Sequence, residues 1–319
     1  MKKYIGIDIG GTSIKCALVT EEGKILKKFG FPIVKGEKQE TTIYRLGDLI
    51  NDEIKKEGLR KEDFVGIGVG CPGSINNKLG VCCYNNNMGW LNLPVADLLK
   101  ERTGIASKVS NDANVAMLGE AKFGAAKNYQ NAVLVTLGTG VGGGLFLNGK
   151  LYEGNEGKGA EIGHMVIEMD GELCTCGRKG CLEAYASVTA LIRQTKEAMH
   201  KHPESKMWAY VNNELDAVNG KTAFETSKMG DETAIEVVDR YENYLTVGLL
   251  NFCNIFRPEV ILIGGGLSNQ KEYLTDALQK KLEENKYGFQ GTPKVNIFVT
   301  NLGNDAGVLG AAALWMEEK

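Results

Sequence analysis

Twice in this chain an apolar run meets a turn of glycine and threonine, and a second run leads straight back out. Residues 4–9 enter Gly10-Gly11-Thr12 and residues 14–19 leave it; residues 132–137 enter Gly138-Thr139-Gly140-Val141-Gly142-Gly143 and residues 144–147 begin the return. Each unit reads as two strands joined by a tight turn. Recurrence of the unit about 130 residues later predicts two related halves. Either turn alone reads equally well as a plain structural hairpin. The pair, each with a threonine, predicts two loops whose backbone N–H groups take phosphate oxygens. A chain of 319 residues, 43% of them hydrophobic, has the length and the apolar content for two cores.

The rest of the chain alternates strands with helices. Residues 24–29 add a third strand. Ile43, Leu46, Ile50 and Ile54 share one face of a helix that ends before Gly58. A strand over 65–71 breaks at Pro72-Gly73, a helix over 96–102 stops at Gly104, and a strand over 107–110 meets Asn111-Asp112 and a helix over 113–123. Further on, helices are predicted over 188–200, 232–256, 271–282 and 306–315. Strands are predicted over 260–263, which runs into Gly264-Gly265-Gly266, and over 295–299. Residues 201–229 are polar and fit no motif. The alternation predicts an α/β class, with a mostly parallel sheet and helices on both faces in each half.

His164, Cys174, Cys176 and Cys181 fall within 18 residues, in the spacing His-x9-Cys-x-Cys-x4-Cys. Three thiolates and one imidazole complete a tetrahedral Zn²⁺ shell of the structural kind. Gly171, Gly177 and Gly180 let so short a loop turn tightly. Chance clustering and a disulfide are the alternatives. The compact spacing speaks against the first, and a strand pattern that begins at residue 4, with no secretory signal, against the second. A filled shell has no catalytic position, so its predicted job is to hold what flanks it, Glu161 before and Glu183 after. His164 either serves the metal alone or turns its second ring nitrogen to a ligand. Cys16, Cys71, Cys82, Cys83 and Cys253 read as reduced thiols.

A net charge of −3 and a pI near 5.8 leave no electrostatic footprint for nucleic acid or an anionic membrane. No apolar run reaches the roughly 18 residues of a bilayer span. The chain reads as cytoplasmic. It has no G-x-x-x-x-G-K-[ST], and Gly264–Gly266 lacks the G-x-G-x-x-G spacing, so phosphate binding would fall to the hairpin turns. Asp8 ends the first strand, where a carboxylate either holds Mg²⁺ beside the turn or caps it. Thr12 offers a hydroxyl to the same phosphate oxygens. Asn111-Asp112 stands at a strand-to-helix junction, which suits either a reacting centre in a crevice or a helix cap.

Asp8-x-Gly-Gly-Thr12 with Lys15, the Asn111-Asp112 pair, Leu137-Gly-Thr-Gly-Val-Gly-Gly143, Glu161-Ile-Gly-His164 and Cys174-x-Cys-Gly-x-x-Gly-Cys-Leu-Glu183 together resemble the ROK family of sugar kinases. The resemblance runs in order over essentially the whole chain, and its zinc segment is the most specific part. It implies a two-domain actin-like ATPase fold, hexokinase-type and ribonuclease H-like, with a sugar-binding cleft between a small domain of residues 1–115 plus 305–319 and a large domain of residues 116–304. It implies ATP-dependent phosphorylation of a hexose 6-hydroxyl, with Asp112 as general base. Gly73, Asn111, Glu161, His164 and Glu183 then correspond to the sugar-binding set. Asp8, Gly10, Gly11, Thr12, Lys15, Gly138, Thr139, Gly140, Gly265 and Gly266 fall on the nucleotide side. His164, Cys174, Cys176 and Cys181 correspond to the zinc ligands. ATP, Mg²⁺ and structural Zn²⁺ are the implied cofactors, and a homodimer the implied assembly. Residues 85–94 resemble the glucokinase branch, which favours glucose over fructose or an N-acetylated hexosamine such as N-acetylmannosamine or N-acetylglucosamine. The family also contains sugar-responsive transcription regulators, disfavoured here by the acidic charge and the immediate start of the strand pattern. Val81-Cys-Cys-Tyr84 departs from related glucokinases in its cysteine content.

Overall fold

The computed structural model describes residues 2–34, 36–86, 88–287 and 291–316. Its contacts divide the chain into two units, residues 1–130 with 144–160 and 301–319, and residues 131–143 with 161–300. In the first unit, β1 (Lys3–Ile9), β2 (Ser13–Thr20) and β3 (Ile25–Pro32) form an antiparallel meander, and α1 (Gln39–Lys56) follows. Next come β4 (Phe64–Cys71), a small antiparallel sheet of β5 (Ser74–Asn76), β6 (Val81–Asn85) and β7 (Trp90–Leu93), then α2 (Val95–Thr103), β8 (Ser107–Asn111) and α3 (Asp112–Phe123). The main sheet has the order β3-β2-β1-β4-β8, with β1, β4 and β8 parallel, so it is mixed rather than mostly parallel. The small sheet has no counterpart in the sequence pattern, because strands of three to five residues are too short to show a period.

The chain continues through β9 (Ala132–Leu137), β10 (Val141–Leu147), β11 (Lys150–Tyr152), α4 (Glu183–Ala186), α5 (Val188–Lys201), α6 (Lys206–Tyr210), α7 (Thr222–Lys228) and α8 (Glu232–Phe256). It closes with β12 (Val260–Gly264), α9 (Glu272–Asn285), β13 (Asn296–Val299) and α10 (Ala306–Ala313). The turn between β9 and β10 is shorter than its glycines suggest, because the returning strand already starts at Val141.

Glycines set how closely α10 lies on the first unit's sheet. A Cβ on Gly6 would stand 1.8 Å from the Val308 carbonyl oxygen, and one on Gly68 would stand 1.7 Å from that of Ala311. On its other side α10 meets α3, where a Cβ on Gly310 would lie 1.6 Å from the Val115 oxygen. Backbone touches backbone, and no side chain fits between. Glu120, fully buried in α3, accepts from the N–H groups of Ala125 (2.8 Å) and Leu302 (3.1 Å), which fastens the end of α3 to the segment entering α10. The division expected between residues 115 and 116 therefore falls inside α3. Residues 317–319 of the expected small domain lie outside the described residues.

In the second unit β9, β12 and β13 run parallel, and the long α8 buries Tyr241, Leu245, Leu249 and Phe252. The polar 201–229 stretch turns out to hold two short helices, α6 and α7. Asp231 holds two helix starts at once: its carboxylate accepts from Lys206 N–H (2.7 Å) and the Ser205 hydroxyl (3.0 Å), and it caps α8 through Ala234 N–H (2.7 Å). No described helix is long and apolar enough to cross a membrane.

Glu242 of α8 is a carboxyl only 5% exposed, and burial pushes its pKa up to about 7, with Asp239 raising it further and Lys281 opposing. The unfolded chain loses this proton near the ordinary value of 4.5, the folded one near 7. The contribution of Glu242 to stability is therefore fully present below the lower value and is lost as pH rises through the window between them, by on the order of 3 kcal/mol. Glu242→Gln removes the titration. It should raise the melting temperature at pH 8 and make little difference at pH 4; parallel profiles for the two proteins across this range would refute the assignment.

Candidate functional site

The parallel strands of the first unit end side by side, with Asp8 of β1 beside Gly70 of β4 and Asn111 of β8 beside Cys71. Carboxyl ends of parallel strands are where α/β sheets bind ligands. Asp8 is half-buried, and its carboxyl lies so close to Gly307 that a Cβ there would be 2.7 Å from Cγ. Burial raises its pKa and Lys15, opposite it across the β1–β2 pair, lowers it. A desolvated carboxyl of this kind gains from a cation. The adjoining turn is tied down through Gly10 N–H to Ser13 O (3.0 Å) and Ile33 N–H to Thr12 O (2.9 Å). Gly11 and Thr12 are exposed at its tip.

At the end of β8 the two candidate residues separate their duties. Asn111 is the N-cap of α3: its Oδ1 accepts from Ala113 N–H (2.9 Å) and Asn114 N–H (3.4 Å), and its Nδ2 donates to the Gly73 carbonyl (3.2 Å). Asp112 is the first residue of the helix, with Oδ1 3.0 Å from Ala113 N, where the helix dipole favours an anion. Gly73 holds φ +102°, and a Cβ on it would lie 2.2 Å from the Tyr84 oxygen, so the contact to Asn111 depends on glycine. Beneath them the Cys71 thiol has a raised pKa, first from its hydrogen bond to Cys82, then from burial, with the Asp112 charge adding to both. Asn85 is buried and accepts from Met88 N–H (3.2 Å), which shapes the loop leading to buried Trp90; Asn87 lies outside the described residues.

The second glycine turn is held from the helix side. Gly138 N–H donates to Gly140 O (3.0 Å), Val188 N–H to Gly138 O (2.8 Å), and the Thr189 hydroxyl to Thr139 O (2.8 Å). The strand end at β12 comes to the same place. Gly265 has φ +79°, and a Cβ there would stand 2.4 Å from the Leu137 oxygen, so Gly265 and Gly266 border the turn only because the first lacks a side chain.

Cys174 and Cys181 are buried, His164 half-buried and Cys176 exposed, and their four donor atoms lie within 4.8 Å of one another. His164 Nδ1 and Cys174 Sγ are 3.6 Å apart, and Cys176 Sγ and Cys181 Sγ 3.7 Å. Zinc–sulfur bonds of about 2.3 Å in a tetrahedron put neighbouring ligand atoms about 3.7 Å apart, so the residues fit Zn²⁺. Nδ1 is the ring nitrogen turned to the thiols. Gly177 and Gly180 both take positive φ, and a Cβ on Gly171 would lie 2.0 Å from the Tyr185 hydroxyl. Glu183 joins this cluster to the second turn. Its Oε1 accepts from the Thr175 hydroxyl (2.7 Å) and the Cys174 thiol (3.5 Å), its Oε2 from Val141 N–H (3.0 Å).

The first unit therefore brings Asp8, Lys15 and the turn Gly10–Thr12 onto one hairpin, and Gly73, Asn111 and Asp112 into one junction. The second unit gathers the four metal-type ligands, Glu183, Gly138–Gly140, Gly265 and Gly266. Glu161 stands at the entrance to the His164 turn with its carboxylate exposed and its carbonyl accepting from His164 N–H (3.1 Å). Sequence reasoning missed Thr175, the Cys71–Cys82 contact and the Glu183–Val141 bond. Thr175 stands between two predicted ligands and was legible there; the other two depend on packing.

The mixed sheets, with a glycine turn in each unit, match those of solved ROK family kinases and define an actin-like ATPase fold. Within it, this chain is a member of the ROK family, whose sequence model matches residues 4–318. It is 38% identical to a glucokinase of Thermotoga maritima, over 99% of this chain and 98% of that protein. It is similar in structure to a ROK family glucokinase from Streptomyces griseus in complex with glucose and AMPPNP (TM-score 0.79, 32% identity, 98% of each chain). It is also 28% identical to a xylose repressor of Caldicellulosiruptor bescii, over 97% of this chain and 77% of the repressor.

Proposed function

We propose that this protein is an ATP-dependent hexose kinase that phosphorylates the 6-hydroxyl of glucose. The observation that carries the reading is the junction at β8, where Asn111 supplies the N-cap of α3 and sets Asp112 at the first position of the helix. Asp112 then takes the proton of the attacking hydroxyl. Phosphoryl transfer through a loose transition state asks a protein chiefly to position groups and neutralise charge. The turns Gly10–Thr12 and Gly138–Gly140 present backbone N–H groups to the phosphates, and Gly265 and Gly266 border the nucleotide. Asp8 is the carboxylate suited to Mg²⁺, which, when bound, offsets phosphate charge. Gly73, Asn111, Glu161, His164 and Glu183 supply the directional hydrogen bonds that a neutral sugar requires. His164, Cys174, Cys176 and Cys181 would hold a structural Zn²⁺, which would keep His164 and Glu183 in place. The greater likeness to glucokinases than to a repressor supports the enzyme reading over a regulatory one. The reading includes a cytoplasmic homodimer, to be checked by light scattering.

A coupled ADP-release assay over a panel of hexoses, with ATP and polyphosphate as donors, tests the proposal. Glucose should give the highest kcat/KM, ahead of fructose, N-acetylglucosamine and N-acetylmannosamine. A tenfold preference for any of those three would move the enzyme to another branch of the family.

A further inference from the structure

A cavity of about 610 Å³ in the first unit lies along β8, the edge strand of the main sheet. That volume is in the range of small-molecule sites. It takes its walls from the loop before β6, the first turns of α2, and the segment 153–156, and it uses none of the residues assigned above to sugar or nucleotide. Its lining is amphoteric. Lys78 and Lys100 are exposed and have no acidic partner among the described residues. Glu153 is fixed from two sides, by the Ser110 hydroxyl in a short hydrogen bond and by Asn77 Nδ2 at 2.8 Å. The Oδ1 of Asn77 is buried with no hydrogen-bond partner.

We propose that this cavity is a second ligand site, that it takes a sugar phosphate, and that it acts on the reaction through β8. Two unpaired ammonium groups suit a phosphate dianion, whereas a neutral sugar would leave them unused. Fixed carboxylate and amide oxygens suit hydroxyl donors, which a sugar phosphate offers in greater number and over a longer reach than inorganic phosphate. No aromatic ring among the described residues lines the cavity, so none of them stacks a nucleobase there. The coupling is short: Ser110, 1% exposed and bonded to Glu153, immediately precedes Asn111 and Asp112. A ligand whose hydroxyls engage Glu153 competes with Ser110 and strains the strand end that presents the proposed base. This inference rests on the kinase reading, whose product is a sugar phosphate, and it makes the site one for product feedback.

The test is calorimetric titration of glucose 6-phosphate into the full-length protein saturated with glucose and a non-hydrolysable ATP analogue. Saturable binding at one site is expected. It should weaken at least tenfold in the Lys78→Ala/Lys100→Ala protein, whose kcat without added phosphosugar should match wild type. Inorganic phosphate should bind at least tenfold more weakly than the phosphosugar. Steady-state inhibition should lower kcat without competing with glucose. Loss of the titration signal when glucose and nucleotide sites are filled would place the ligand in the active site and overturn the inference. Unchanged affinity in the double variant, equal binding of inorganic phosphate, or a kcat indifferent to saturating phosphosugar would overturn it too. Absence of glucose-dependent ADP release would instead defeat the kinase reading, an outcome visible in a separate assay.

Discussion

Asp112→Asn is expected to lower kcat by about 10²–10⁴, roughly 3–5 kcal/mol of barrier, with glucose KM and melting temperature close to wild type. The amide keeps the size and shape of the carboxylate and can still accept from Ala113 N–H, the bond that Asp112 Oδ1 makes at 3.0 Å. Asn111 continues to cap α3 and to hold Gly73, so the junction should keep its form. What the variant lacks is the capacity to take a proton. The substitution separates the two duties that an Asn-Asp pair at a helix start can have. Were Asp112 only part of the cap, asparagine would serve as well, since both are favoured at helix starts. Single-turnover rates with saturating glucose and ATP make the measurement, and near-native turnover would end the assignment. A matched fall in melting temperature would instead reveal a role in the fold.

Much of this arrangement was legible in the sequence because the deciding features are local. The two glycine turns, the strand endings at Asp8 and Asn111, the one-sided pattern of α1 and the ligand spacing from His164 to Cys181 all lie within short windows. Features made by contacts distant in sequence were not legible. Gly6 and Gly68 read as ordinary strand glycines until α10, some 240 or more residues later, lies against them. Nothing in the sequence near Glu120 marks it as buried; its carboxylate is met by Ala125 N–H and by residues 301–302, which return from far along the chain. Cys71 and Cys82 read as two unrelated thiols until the short strands β5 and β6 fold back. The small sheet and α6 and α7 stayed hidden for another reason: elements this short repeat their period too few times to stand out.

Loss of zinc should damage sugar binding far more than nucleotide binding, and the structure says why the two respond differently. The loop from His164 to Glu183 has almost no core of its own. Met169 and Leu173 are 84% and 70% exposed, and its only β-pairs are the isolated bridges Val166 to Cys181 and Leu173 to Lys179. A segment with so little buried apolar surface gains from a staple, and a metal held by His164 and the three cysteines would be one. Cys176 is the ligand to remove, because it is exposed and its replacement opens no cavity. Cys176→Ser should bring zinc content down and raise the glucose KM about 10–100-fold, the usual scale for disturbance of a metal site. Glu183 would feel the change through Thr175, which stands between the candidate ligands Cys174 and Cys176 and donates its hydroxyl to Glu183 Oε1. The same carboxylate also reaches Val141 N–H, so the second glycine turn is not wholly insulated. That turn is held independently, however, by Val188 N–H on Gly138 O and the Thr189 hydroxyl on Thr139 O. The ATP KM should therefore move much less than the glucose KM. Elemental analysis paired with separate titrations of glucose and ATP makes the comparison. Wild-type protein without zinc, or a zinc-free variant with unchanged glucose affinity, would show that the loop is organised by something other than the metal. Equal losses toward both substrates would show that the Glu183–Val141 bond, rather than the helix-side contacts, fixes the turn.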